Sequence, residues 1–156
     1  MNRYRISKYD PNNRDPNGFY TIDEWTDYSD IGKPFSGKVL LKSEYLRTEN
    51  NYLSFCEELW IICGEKPLKV CDYENNSKGT VPEQIENRES LRKTVRAVLR
   101  NKCWLKLKRH GFYIHFGYDY YLYVGTMQSD ITVKALAAKY GLYCEPMPSP
   151  YKQGDV

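Results

Sequence analysis

The alternation of apolar and polar residues divides this chain into short strands and three longer helical stretches. Residues 3–9 set Tyr4 and Ile6 against Arg3, Arg5 and Ser7, the period-two pattern of a half-buried strand. Asp10 to Gly18 is dense in turn formers and reads as a loop. Phe19 to Ile22 predicts a second short strand that returns as a wide hairpin. Gly32, Pro34 and Gly37 then make 23–42 an irregular connection, with room for a short strand at Val39–Leu41. A helix is expected from Glu44 to Cys63, with Ser43 as its N-cap and Gly64 as its stop. Leu46, Leu53, Cys56, Trp60 and Cys63 form its apolar stripe. Pro67 to Tyr73 reads as a strand and 74–79 as a polar turn. Thr80-Val81-Pro82-Glu83 offers a capping box for a second helix ending near Asn101, with Ile85, Leu91, Val95 and Val98 on one face.

The hairpin that follows carries the clearest signal. Leu105 and Leu107 alternate with Lys106 and Lys108, Arg109-His110-Gly111 is a tight-turn candidate, and 112–126 reads as one long strand. Phe112, Ile114, Phe116, Tyr118, Tyr120, Leu122 and Val124 would then share one face. Tyr113, His115, Gly117, Asp119, Tyr121, Tyr123 and Gly125 would share the other. Gly117 marks a bulge or a second turn, and either would reset the faces beyond it. A last helix runs from about Asp130 (as cap) to Tyr140, with Gly141 as stop, before an edge strand at Leu142–Cys144 and a proline-rich tail. Strands are joined by hairpins as often as by helical crossovers. The expected fold is therefore α+β: one domain over 1–150, a single mixed or mainly antiparallel sheet with about three helices packed on it, and a flexible tail over 151–156.

Composition changes this picture mainly through tyrosine. Aromatics are 15% of the 156 residues, and 15 of them are tyrosines. A ring with a polar tip suits half-buried sheet faces and interfaces. Net charge is +3, too small to imply nucleic-acid binding by itself. Its distribution is uneven: 20–30 holds four acids and no Lys or Arg, whereas 88–109 is strongly basic. The five cysteines show no metal or redox spacing and have apolar neighbours, which points to buried thiols in a reducing compartment. No apolar leader opens the sequence and no run approaches the ~20 residues of a membrane span, so a cytoplasmic location is expected, without membrane contact.

Candidate chemistry is sparse. His115 and Asp119 would share a strand face about 13 Å apart, too far for the ~3 Å of an acid–base hydrogen bond unless Gly117 bends the chain. The carboxylates of 23–30 lack the glycine and terminal glutamate of a calcium loop. No metal or cofactor is expected. Two binding readings remain. In the first, Glu24, Asp27 and Asp30 attract a basic partner protein, and Trp25, Tyr28, Tyr113, Tyr121 and Tyr123, with His115 and Asp119 beside them, form the docking surface. In the second, Arg88, Arg92, Lys93, Arg96, Arg100, Lys106 and Lys108 hold a nucleic-acid backbone while tyrosines stack on bases. A third reading is an enzyme centred on His115 and Asp119.

Three stretches carry a resemblance. Tyr4-Arg5-Ile6-Ser7-Lys8-Tyr9-Asp10-Pro11, Asp23-Glu24-Trp25-Thr26 with Ser29-Asp30-Ile31-Gly32, and His115-Phe116-Gly117-Tyr118-Asp119-Tyr120-Tyr121 resemble a small family of bacterial cytosolic proteins. That family is similar, loosely, to the immunity proteins of toxin–immunity systems. The resemblance spans most of the chain and implies a non-catalytic protein that neutralises a toxin-like partner by occluding it. It assigns no individual functional residue.

Overall fold

The computed structural model describes residues 1–76 and 79–151. In chain order its elements are β1 (Asn2–Ser7), β2 (Pro34–Phe35), β3 (Lys38–Val39), α1 (Lys42–Ile62), β4 (Leu68–Asn75), β5 (Gln84–Ile85), α2 (Arg88–Leu99), β6 (Cys103–Arg109), β7 (Phe112–Phe116), β8 (Leu122–Thr126), α3 (Asp130–Lys139) and β9 (Tyr143–Pro146). Seven strands form one antiparallel sheet in the order β5-β4-β6-β7-β8-β1-β9. β2 and β3 form a separate two-stranded hairpin around Ser36 and Gly37, both in the left-handed region. The fold is α+β, with an antiparallel rather than mixed sheet.

Alternation decides which face receives the helices. Tyr4, Ile6, Leu105, Leu107, Phe112, Ile114, Phe116, Leu122 and Val124 point into one apolar cluster with residues of all three helices. α1 contributes Tyr52, Leu53, Phe55, Cys56, Leu59 and Trp60, α2 contributes Leu91 and Val95, and α3 contributes Val133 and Leu136. At ~1.5–3 kcal/mol for each fully buried large apolar side chain, this cluster is the main source of stability.

Four local expectations are corrected. Phe19–Ile22 is not a strand: a single bridge joins Arg14 to Tyr20, and Phe19 and Ile22 are exposed, because no second apolar row covers them. α1 is capped at Leu41 without a side-chain hydrogen bond, not at Ser43, and Leu46 is exposed because the buried stripe runs through Tyr45, Glu49, Tyr52, Phe55, Cys56 and Leu59. α2 starts at Arg88 rather than beside Thr80. Asn87 is its cap, its side chain accepting the Ser90 amide at 2.8 Å, while Ile85 pairs with Leu68 in β5 and is fully buried there. The cap of α3 is Ser129, one residue before Asp130. The polar turn expected over 74–79 and the tail over 151–156 lie partly outside the described residues.

The expected long strand breaks. Gly117 to Tyr121 turns back on itself, closed by Tyr121 N–H to the Tyr118 carbonyl at 3.1 Å and Gly117 N–H to the Tyr121 carbonyl at 2.8 Å. Gly117 thus acts as the second turn that the sequence left open. β6, β7 and β8 become a three-strand meander, with His115 opposite Lys106 on one side and Tyr123 on the other.

Candidate functional site

The β7–β8 turn is built from residues that resist its geometry. Asp119 and Tyr120 both take left-handed backbone angles, φ 57° and 67°. Aspartate tolerates that region through its short polar side chain, but a tyrosine there is strained, and such strain persists only where the surroundings enforce it. Here they do. The Tyr120 side chain is buried among Trp25, Tyr45 and Tyr52, at ring-centroid distances of 5.1, 6.1 and 5.6 Å. Its hydroxyl donates to the Leu99 carbonyl at 3.1 Å and also meets the Tyr45 hydroxyl. Tyr9 donates to the Asp119 carbonyl and Tyr52 to the Tyr120 carbonyl, each at 2.7 Å. Burial pushes the phenols of Tyr9, Tyr45, Tyr52 and Tyr120 well above their ordinary pKa, so all four stay neutral hydrogen-bond donors.

Much of the tyrosine surplus is spent on this wall. Between its rings sit cations: Lys8 Nζ lies 4.1 Å from the Trp25 ring centroid and 4.3 Å from that of Tyr9, and Arg5 and Arg14 lie over Tyr121. Burial outweighs the attraction of Glu24 and lowers the Lys8 pKa to about 8.

The rigid turn presents Tyr118. The residue is 84% exposed, and it lines two neighbouring clefts. One, of about 200 Å³, is lined by Thr26, Asp27, Asn101, Asp119 and Tyr121 among others. The second, of about 270 Å³, is lined by Glu74, Asn76, Asn101, Cys103, Trp104 and Tyr151 among others. Asn101 lines both clefts. It holds the left-handed position after α2, φ 58°, and its amide donates to Asp27. Burial would raise the Asp27 pKa, but hydrogen bonds from Ser29 and Asn101 outweigh it and hold the carboxyl below its ordinary range. Hydrogen-bond acceptors and carboxylates around an exposed aromatic face suit a guanidinium or ammonium group.

The expected docking residues do not all reach this surface. Asp27, Asp119 and Tyr121 do, and Tyr28 is half-buried with Arg100 over its ring. Trp25 is buried in the core. Glu24 is held by Lys8 at 2.7 Å and by the Tyr20 hydroxyl at 3.1 Å. Asp30 accepts the Thr26 and Asp27 amides, which closes its own short 3-10 turn. Tyr113, His115 and Tyr123 lie on the face opposite the helices, yet are only 1%, 2% and 8% exposed. Tyr113 lies over its cross-strand neighbour Gly125, which has no side chain to hold the ring upright, and stacks on His115 at 4.3 Å. The proline-rich segment then covers the row. Met147 N–H bonds the Arg3 carbonyl, the Ser149 hydroxyl meets His115 Nδ1 at 2.8 Å, and the Tyr151 ring packs on Trp104, His115 and Tyr123.

His115 and Asp119 are not brought together. The imidazole is enclosed beneath Ser149 and Tyr151, whereas Asp119 sits on the exposed turn. Burial and the nearby Lys106 lower the His115 pKa to about 4, so it is neutral near pH 7. The basic set is divided as well. Arg88 pairs with Glu65, Arg92 with Glu57, Arg96 and Arg100 with the buried Glu49, and Lys106 with Asp72. Lys106 and Lys108 project from the sheet face opposite α2, so the seven cations form no continuous track. Among the described residues no three His, Cys, Asp or Glu side chains gather as metal ligands would, and no helix is long and apolar enough to cross a membrane.

The sequence reading missed Tyr118 and Asn101. The usable signal was Gly117 followed by Asp119, two turn-tolerant residues inside an aromatic run. Compared with known proteins, the chain matches no family model, no curated protein and no solved structure.

Proposed function

We propose that this is a non-catalytic protein-binding protein of the immunity type, which neutralises a toxin-like partner by occluding a basic part of its surface. The observation that carries the reading is Tyr118, an exposed aromatic side chain on a turn held by the buried Tyr9 and Tyr52 phenols and bordered by two clefts that carry carboxylates and, among the described residues, no cation. Rigid tyrosines supply contact area at low entropic cost, which is why they recur as interface anchors. Asp27, Asp119 and Glu74 would orient an arginine- or lysine-bearing loop and speed its encounter with the clefts. The bacterial cytosolic setting implied by the resemblance belongs to this proposal.

The partner is sought by affinity capture from the native host, and by co-expression with the product of the neighbouring reading frame. Binding of the identified partner is then measured with Tyr118→Ala and with Asp27→Asn. Loss of an anchor costs at least ~2 kcal/mol, roughly thirtyfold in Kd, and a peripheral carboxylate costs less. An affinity indifferent to Tyr118→Ala removes this surface from consideration.

A further inference from the structure

A second and larger groove lies along α2, away from Tyr118. It holds about 590 Å³ and runs between that helix and the Thr80–Pro82 segment. Its size falls within the roughly 300–1,000 Å³ usual for small-ligand sites. Val81, Pro82 and Ala97 contribute apolar lining, Thr80 and Ser90 contribute hydroxyls, and four cations converge there, Lys93, Arg96, Arg100 and Lys102, against one lining carboxylate, Glu89.

These cations differ in what they have left to give. Arg100 commits Nε and Nη2 to Glu49 and is structural. Arg96 gives Glu49 its Nε, and its side chain stays 44% exposed. Lys93 and Lys102 are exposed, and among the described residues neither has a carboxylate within ion-pair distance. Lys93, Arg96 and Arg100 recur at i, i+3 and i+7, one side of the helix over a rise of about 10 Å. That length matches a few linked phosphoryl groups, and the strip continues into a smaller cleft that Lys93 and Arg96 share with Arg92 and Glu89. Arg88 and Arg92 are taken by Glu65 and Glu57, and Lys106 and Lys108 face away across the sheet. The cationic charge without a carboxylate partner is therefore confined to a short stretch, which suits a compact anion better than a nucleic-acid strand.

We infer that this groove binds a small polyanion carrying two or three linked phosphoryl groups. Lys93, Arg96 and Lys102 supply the charge, and the Thr80 and Ser90 hydroxyls supply hydrogen bonds. The site is separate from the Tyr118 surface and does not depend on it.

Isothermal titration of the full chain with inorganic tripolyphosphate, at constant ionic strength, tests the inference. Saturable one-to-one binding is expected. It weakens by about tenfold or more in the double variant Lys93→Gln with Lys102→Gln and is unchanged in Lys38→Gln with Lys66→Gln, all variants keeping the parent unfolding temperature. Absence of saturable binding overturns the site, as does equal weakening in the two double variants. A single-stranded oligonucleotide that displaces tripolyphosphate at lower phosphate concentration overturns the ligand class.

Discussion

The Tyr52 hydroxyl donates to the Tyr120 carbonyl at 2.7 Å, tying the middle of α1 to the most strained residue of the β7–β8 turn. A buried donor thereby fixes a backbone angle that tyrosine resists, and the exposed Tyr118 inherits that rigidity. The strain and the presentation of the site are one arrangement.

It follows that Asp119→Gly should raise stability, by up to about 1 kcal/mol, because glycine takes φ near 57° without the steric cost. The same change should loosen partner binding, since it removes a carboxylate from the cleft and frees the turn before association. Urea unfolding and the partner Kd, measured on one preparation, check both halves.

Glu49 is the buried carboxylate of the helix pair. It accepts Arg96 at 3.1 Å, Arg100 at 2.7 and 2.8 Å, and Tyr45 at 2.7 Å. Burial would raise its pKa, but those hydrogen bonds outweigh it and the net shift is downward. Its contribution is therefore present above the unfolded carboxyl pKa and lost as pH falls through the lower folded value. Replacement by Leu removes the shared partner of two arginines that keep some contact with solvent, and should cost about 1–3 kcal/mol. A loss under ~1 kcal/mol in denaturant titration would show that the pair adds nothing.

His115 gives a second pH dependence. Its folded pKa of about 4 lies below the ordinary 6.5, so between those values the unfolded chain binds the proton and the native one does not. Stability should fall as pH drops from 6.5 to 4 and level off below. His115→Phe should flatten that portion of the curve. Tyr151→Ala, which opens the cover over the ring, should move the imidazole pKa back towards 6.5, as read by NMR titration.

Gly125 sits under the Tyr113 ring, where an added Cβ would lie 2.1 Å from Cε1. Gly125→Ala should displace the ring and destabilise the protein by about 1–3 kcal/mol. The double variant with Tyr113→Ala should recover part of that loss, the sign of a direct steric coupling.

Much of this architecture was legible in the sequence. Apolar alternation marked β1, β6 and β7, the step of three and four residues marked α1, and hairpin chemistry joined β6 to β7, because these signals act between residues close along the chain. The start of α2 was not: the capping box at Thr80 pointed too early, and the pairing of Ile85 with Leu68, seventeen residues earlier, draws 84–85 into a strand and leaves Asn87 to cap the helix. Nor was the fate of the phenols. Tyrosines fall on both faces of the single strand expected over 112–126, and alternation alone cannot tell which face will be covered. Register decides it by laying Tyr113 over Gly125, and so does the return of Ser149 and Tyr151 from the far end of the chain. Contacts this remote in sequence leave no periodic trace, so only the tertiary structure could separate the buried Tyr113 and Tyr123 from the presented Tyr118.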